Sequence, residues 1–130
     1  MAKSYYLSMP EWMFIGTKPE AVIIEGERII ARNWREVFVT VLRHCLKDPV
    51  YHARLMNLRN MVLGRQRTIL SDSPEGMTRP FEVCEGLYAE VQYGTQALVY
   101  NLKSRILESI EFNYSNIKVE LSETRGGRLR

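Results

Sequence analysis

Two short apolar segments around a central glycine, followed by a long amphipathic stretch, constrain the fold more than any other feature of this sequence. Ala21-Val22-Ile23-Ile24 and Arg28-Ile29-Ile30-Ala31 flank Glu25-Gly26-Glu27. Runs rich in β-branched residues on both sides of a glycine that can adopt a positive φ predict a β-hairpin. Strands joined by so short a turn pair antiparallel, so the sequence predicts an antiparallel sheet here.

The residues after this hairpin predict two helices. Asn33 can cap the first, and Glu36 three residues later completes a pattern typical of a capping box. Asp48 and Pro49 predict the start of the second, which we expect to stop at Gly64. The apolar stripe of the first helix consists of Trp34, Val37, Phe38, Val41, Leu42 and Cys45. That of the second consists of Tyr51, Leu55, Leu58 and Val62.

The second half of the chain again predicts a hairpin and then a helix. The expected elements are a short strand at Arg67–Leu70, a hairpin of Phe81–Cys84 and Leu87–Val91, a helix capped by Thr95, and a closing strand at Ile117–Leu121. The stripe of this helix is Leu98, Leu102, Ile106 and Ile110, with Lys103 mostly away from it. The order ββααβββαβ predicts an α+β fold with two layers. About three helices pack on a mostly antiparallel sheet of two hairpins plus a closing strand.

Length and composition predict one domain. The chain has 130 residues, enough to bury a core, and we place the domain at residues 19–121. Residues 1–18 are expected to form a partly ordered aromatic arm, and residues 122–130 a flexible basic tail. The 2 cysteines are not spaced as CxxC, and no apolar run approaches the length of about 20 residues that a membrane helix needs. We therefore expect a reduced, cytoplasmic protein without a membrane partner.

The residue types that carry catalysis are sparse and badly placed. His44 and Cys45 are neighbours on a helix, so their side chains diverge by about 100° and cannot form a base–nucleophile pair. Metal-dependent nucleases cluster carboxylates, but the chain has only two aspartates, and Gln92 stands where such a motif would place a lysine after Glu90. We predict no catalytic residues, no metal site and no cofactor.

Charge is distributed unevenly along the chain. No acidic residue lies between Pro49 and Ser71, whereas residues 72–121 contain 8 acidic and 4 basic side chains. A local excess of arginine can neutralise the phosphates of a nucleic acid, although solvation of a helix and a loop explains it equally well. The arginines of this segment are Arg54, Arg59, Arg65 and Arg67.

Taken in order, several short motifs resemble a known domain. They are the hairpin Val22–Ile30, then Asn33-Trp34-Arg35-Glu36-Val37, Asp48-Pro49, Gly64-Arg65-Gln66-Arg67 leading to Leu70-Ser71, Arg79-Pro80, Gly86-Leu87-Tyr88-Ala89-Glu90, and Ile117-Lys118-Val119-Glu120-Leu121. In this order the chain resembles a small accessory domain of bacterial restriction-type defence proteins, which occurs C-terminally or free-standing. The resemblance covers about residues 21–121.

The resemblance implies a non-enzymatic auxiliary module that helps a defence or mobile-element protein recognise DNA or a partner. We expect DNA contact through the four arginines Arg54, Arg59, Arg65 and Arg67. The alternative is a protein-interaction module, such as a phage-encoded inhibitor or regulator of a nuclease or CRISPR effector. Its contact residues would be the aromatic side chains Tyr5, Tyr6, Trp12, Phe14 and Tyr88, although rim packing also explains Tyr88. The sequence is also compatible with a homodimer.

Overall fold

The computed structural model describes residues 3–61 and 68–122. Within them the helices are a 3₁₀ turn at Glu11–Phe14, α1 at Trp34–Cys45, α2 at Pro49–Asn57, and α3 at Thr95–Tyr100, which continues as a π-helix over Asn101–Leu107. The strands are β1 Lys3–Tyr6, β2 Pro19–Ile24, β3 Glu27–Ile30, β4 Leu70–Ser71, β5 Pro80–Cys84, β6 Leu87–Glu90 and β7 Lys118–Leu121. The predicted α+β class and antiparallel pairing are confirmed.

The described strands form two sheets where the sequence predicted one. The first has the order β1-β7-β2-β3, and the second has the order β4-β6-β5. Both predicted hairpins are present, and Glu25 (φ 50°) with Gly26 (φ 83°) forms a two-residue turn that needs positive φ at both positions. Strand β1 was not predicted, because Lys3–Tyr6 shows no period and its partner β7 lies more than a hundred residues away.

Helix α1 joins the two sheets, because it packs on β2 of the first and on β5 of the second. Asn33 Oδ1 accepts the backbone N–H of Glu36 at 2.9 Å, so the predicted cap is present. All six residues of the predicted stripe are buried. Val39, on the other side of the helix, is buried as well. A helix between two sheets buries more of its circumference than one apolar stripe.

Helix α2 is shorter than predicted. Asp48 caps it by accepting the N–H of Val50, but it ends at Asn57, and Val62 and Gly64 lie outside the described residues. The chain turns at Asn60, which has φ 65° and donates its N–H to the carbonyl of Leu70 at 2.6 Å. This bond connects the end of α2 to β4, which spans Leu70–Ser71, whereas the predicted strand began at Arg67, outside the described residues.

Helix α3 widens into a π-helix that buries two polar side chains. The predicted stripe is buried, but Gly94 rather than Thr95 occupies the N-cap position. Asn101 and Lys103 are also buried, so the prediction that Lys103 points away from the core was wrong. Bonds five residues apart, such as the one from Glu108 N–H to the Lys103 carbonyl (2.9 Å), change which side chains face inward.

Candidate interaction surfaces

The two described arginines of the arginine-rich segment hold the fold together. Arg54 Nη1 donates to the carbonyl of Ile110 at 2.9 Å, and Arg54 also lies 3.7 Å from the exposed carboxylate of Glu111. Arg59 donates from Nε to the carbonyl of Met56 and from Nη1 to the carbonyl of Gly86, both at 2.9 Å. Each side chain therefore ties α2 or its end to a distant part of the chain.

Two arginines of α1 connect this helix to the second sheet by donating to backbone carbonyls. Arg43 donates to the carbonyls of Val83 and Glu82 on β5, at 3.0 and 3.1 Å. Arg35 Nε donates to the carbonyl of Val91 at 3.3 Å. Arginine is well suited to this role, because one planar group supplies several donors. Arg65 and Arg67 lie outside the described residues, so the predicted set of four is represented here by Arg54 and Arg59 alone.

The aromatic side chains predicted for partner binding separate into core and surface. Phe14 is 0% exposed and packs on Trp34 with ring centroids 4.9 Å apart, so it belongs to the core and leaves the partner-binding set. Tyr5 and Tyr88 are half-buried. Tyr6 is 46% exposed on β1, and the ammonium of Lys118 lies 5.0 Å from its ring centroid.

Trp12 belongs to an exposed apolar surface built by the 3₁₀ turn and α3, which pack against each other. Trp12 is 63% exposed, Ile15 52% and Tyr100 44%. Ile15 directly follows the 3₁₀ turn and donates its backbone N–H to the carbonyl of Trp12 at 3.3 Å. A cavity of about 560 Å³ is lined by Glu11, Ile15, Gly94, Thr95, Gln96, Ala97 and Tyr100, and Trp12 directly follows the lining residue Glu11 in the 3₁₀ turn. We call Trp12, Ile15, Ala97 and Tyr100 the Trp12 surface.

An ion pair between the buried Lys103 and the partly buried Glu11 holds the 3₁₀ turn in place beneath this surface. Lys103 Nζ lies 2.8 Å from Glu11 Oε2 and donates to the carbonyl of Met9 at 2.7 Å. The Lys103 side chain is only 4% exposed. Because Glu11 both pairs with Lys103 and lines the cavity, the π-helix holds the backbone of the 3₁₀ turn that carries Trp12.

The sequence singled out Trp12 but not Ile15 or Tyr100, the other large exposed side chains of this surface. The signal for Tyr100 was present: it follows Leu98 by two residues, which places it about 200° around the helix from the buried stripe. A large aromatic residue on that side of a helix has no core to enter. Ile15 carried no such signal, because no regular element was predicted for residues 1–18.

His44, Cys45 and Glu25 meet at one end of α1 without forming a reactive thiol site. His44 Nε2 lies 3.1 Å from Glu25 Oε1, which fastens the β2–β3 turn to the helix. Burial, together with the nearby charge of Glu25, raises the pKa of the Cys45 thiol to about 12. A thiol with such a pKa is protonated at neutral pH and is a poor nucleophile.

No family model, no curated protein and no solved structure matched the chain in three comparisons. Across residues 3–61 and 68–122, no helix has both the length and the apolar character needed to cross a membrane.

Proposed function

We propose that this chain is a non-enzymatic binding protein of a bacterial defence or mobile-element system and that a protein partner docks on the Trp12 surface. The order of motifs along residues 21–121 supports the biological setting through its resemblance to a restriction-associated accessory domain. The exposed aromatic side chains beside a cavity support the mode of action.

The Trp12 surface carries this proposal. Trp12 and Tyr100 belong to the two residue types most enriched among side chains that dominate protein–protein binding energy. The adjoining cavity of about 560 Å³ is large enough to receive an apolar side chain of a partner. Contiguous exposed apolar surface of this kind is typical of interaction sites.

The polar groups around the cavity favour a protein partner over a purely apolar ligand. Glu11, Thr95 and Gln96 line the cavity together with the apolar Ile15 and Ala97. An apolar centre with polar groups at its edge is the usual anatomy of a protein–protein interface. The Glu11–Lys103 pair keeps the site preformed, which reduces the entropy that docking would cost.

Affinity capture with matched variants tests this proposal. The wild-type chain, a Trp12→Ala/Tyr100→Ala variant and a Val50→Ala control are immobilised, and proteins retained from a lysate of the source organism are quantified. Val50 is 55% exposed and lies outside the Trp12 surface, so the control truncates an exposed, though smaller, apolar side chain elsewhere. We expect a partner that the wild type and the control retain and the double variant loses. Equal retention by all three proteins would contradict docking on this surface.

DNA contact through the arginine-rich segment is the second candidate. It is favoured by the acid-free stretch from Pro49 to Ser71 and by the 44% exposure of the Arg54 side chain. A gel shift with duplex DNA at two salt concentrations tests it, with Arg54→Ala compared to the wild type. Phosphate-driven binding must show at low salt, so no retardation there would contradict this candidate.

A further inference from the structure

The four-stranded sheet has one face on which several side chains are exposed to solvent. Register places Tyr6, Lys118, Ile23 and Arg28 in one row across the strands. Ser4, Glu120, Ala21 and Ile30 form the row two residues further along. Because side chains two apart on a strand point the same way, both rows share one face, which we call the outer face.

The outer face combines an exposed aromatic ring, exposed aliphatic groups and basic side chains. Tyr6 and Ile30 are about half exposed, and Ile23 is partly exposed. Arg28 Nε and Nη2 reach over β2 to the carboxylate of Glu120 at 2.9–3.0 Å, which covers Ala21. That bond uses one edge of the guanidinium, and half of the Arg28 side chain remains exposed.

A groove of about 430 Å³ continues the outer face where β2 begins and β3 and β7 end. It is lined by Lys18, Pro19, Glu20, Arg28, Ile30, Arg32 and Ser122. Lys18 and Arg32 are exposed and make no ion pair with any residue of the described ranges. The groove and face together carry Lys18, Arg28, Arg32 and Lys118 against Glu20 and Glu120, so positive charge exceeds negative.

We propose that the outer face and its groove bind a single-stranded polynucleotide, with a base stacked on Tyr6 and phosphates at Lys18 and Arg32. Unpaired bases expose the π-faces that an aromatic side chain can stack on, whereas the bases of a duplex are already stacked on each other. The excess of positive charge is complementary to phosphate. This proposal is independent of the Trp12 surface, which lies on the 3₁₀ turn and α3.

Fluorescence anisotropy with labelled oligothymidine, titrated across salt concentrations, tests the proposal. The wild type is expected to bind at low salt. Lys18→Ala/Arg32→Ala should lower the slope of log affinity against log salt by about 1.4, because each lost phosphate contact on a single strand changes it by about 0.7. Lys47→Ala/Arg79→Ala removes the same charge away from the outer face and should leave the slope close to the wild-type value.

The ring of Tyr6 is tested separately from charge. Tyr6→Ala should weaken binding on the order of tenfold, as expected for one lost stacking contact, while Tyr6→Phe keeps the ring and should retain the affinity. Thermal melts confirm that each variant is folded. Oligouridine is expected to bind the same face, because uracil, like thymine, presents a pyrimidine ring for stacking and its strand carries the same phosphate charge. Trp12→Ala/Tyr100→Ala should not change oligonucleotide binding.

Four results would overturn the proposal. The first is that neither oligonucleotide binds at low salt, and the second is that the salt slope falls equally for Lys18→Ala/Arg32→Ala and Lys47→Ala/Arg79→Ala. The third is that duplex DNA binds as tightly as single strands. The fourth is that the protein forms a dimer in solution that buries Tyr6. The last result would make the outer face an interface between two copies of the chain. None of these outcomes depends on whether a protein partner docks on the Trp12 surface.

Discussion

At the scale of single residues, the two thiols differ in burial, and this difference predicts their reactivity. Cys45 is buried with a pKa raised to about 12, whereas Cys84 is only partly buried, with a pKa raised by burial and by Glu82. A pKa of about 12 leaves roughly one thiolate in ten thousand near pH 8. We expect iodoacetamide to label Cys84 first and Cys45 only after unfolding, as mass spectrometry of the intact and urea-treated protein will show. Equal labelling rates in the folded protein would argue against this core.

The buried carboxylate of Glu90 predicts a loss of stability when it is replaced by an amide. Glu90 is 0% exposed and accepts the backbone N–H groups of Thr78, Arg79 and Gln92 at 2.7, 3.0 and 2.9 Å. Glu90→Gln supplies one acceptor oxygen in place of two, so at least one of these N–H groups loses its partner. We expect a loss of about 1–3 kcal/mol in the free energy of unfolding, measured in urea.

The exposed Glu85 provides the control for this measurement. Glu85→Gln makes the same chemical change at the β5–β6 turn, where the carboxylate is in solvent, and should leave stability within about 0.5 kcal/mol of wild type. If both substitutions had the same small effect, Glu90 would not organise the loop that precedes β5.

At the scale of elements, Arg59 connects the end of α2 to the β5–β6 turn. Gly86 has φ 80°, and a Cβ there would lie 3.5 Å from Arg59 Nη1, so the turn and the arginine fit closely. Arg59→Lys cannot reproduce both bonds, because lysine lacks the planar fork, and it should cost about 1–2 kcal/mol of stability in urea. Arg79→Lys, at an exposed position, should cost almost nothing. An unchanged stability for Arg59→Lys would contradict this connection.

The Glu11–Lys103 pair predicts how the 3₁₀ turn is held on the π-helix. Lys103→Met leaves the Glu11 carboxylate without its partner in a largely buried position, and we expect a loss of about 3 kcal/mol in the free energy of unfolding. Glu11→Gln added to Lys103→Met should recover part of this loss. A double variant whose cost equals the sum of the single costs would show that the two groups do not interact.

An exposed ion pair gives the matched comparison. Lys47 and Glu27 lie 3.6 Å apart, and both side chains are more than half exposed. Lys47→Met should therefore change stability by less than about 1 kcal/mol. The contrast between the two lysines separates the effect of burial from the effect of losing a charge.

At the scale of the whole molecule, local signals in the sequence were sufficient for most elements. Gly26 and Gly86 mark the two hairpin turns, and Asn33 with Glu36 marks the start of α1. Each signal acts within a few residues, so no knowledge of distant partners was needed. Part of the Trp12 surface was predicted for the same reason. Residues 1–18 show no helical or strand periodicity, but their aromatic content is visible in the sequence alone.

Features that depend on distant partners could not be read from the sequence. The pairing of β1 with β7 joins the two ends of the described chain, and the division into two sheets follows from how α1 packs between them. The burial of Lys103 depends on Glu11 and Met9, which lie on another element. Likewise, Arg54 and Arg59 resemble free surface arginines until their carbonyl partners are known.

Hydrogen–deuterium exchange on the chain bound to its captured partner tests docking on the Trp12 surface most directly. The prediction is slower exchange, relative to the free chain, in the peptides that cover residues 11–16 and 94–100, with residues 49–59 and the outer face unchanged. Protection of residues 49–59, or of β1 and β3, without protection of 11–16 and 94–100 would contradict the proposed docking site and move it to another surface.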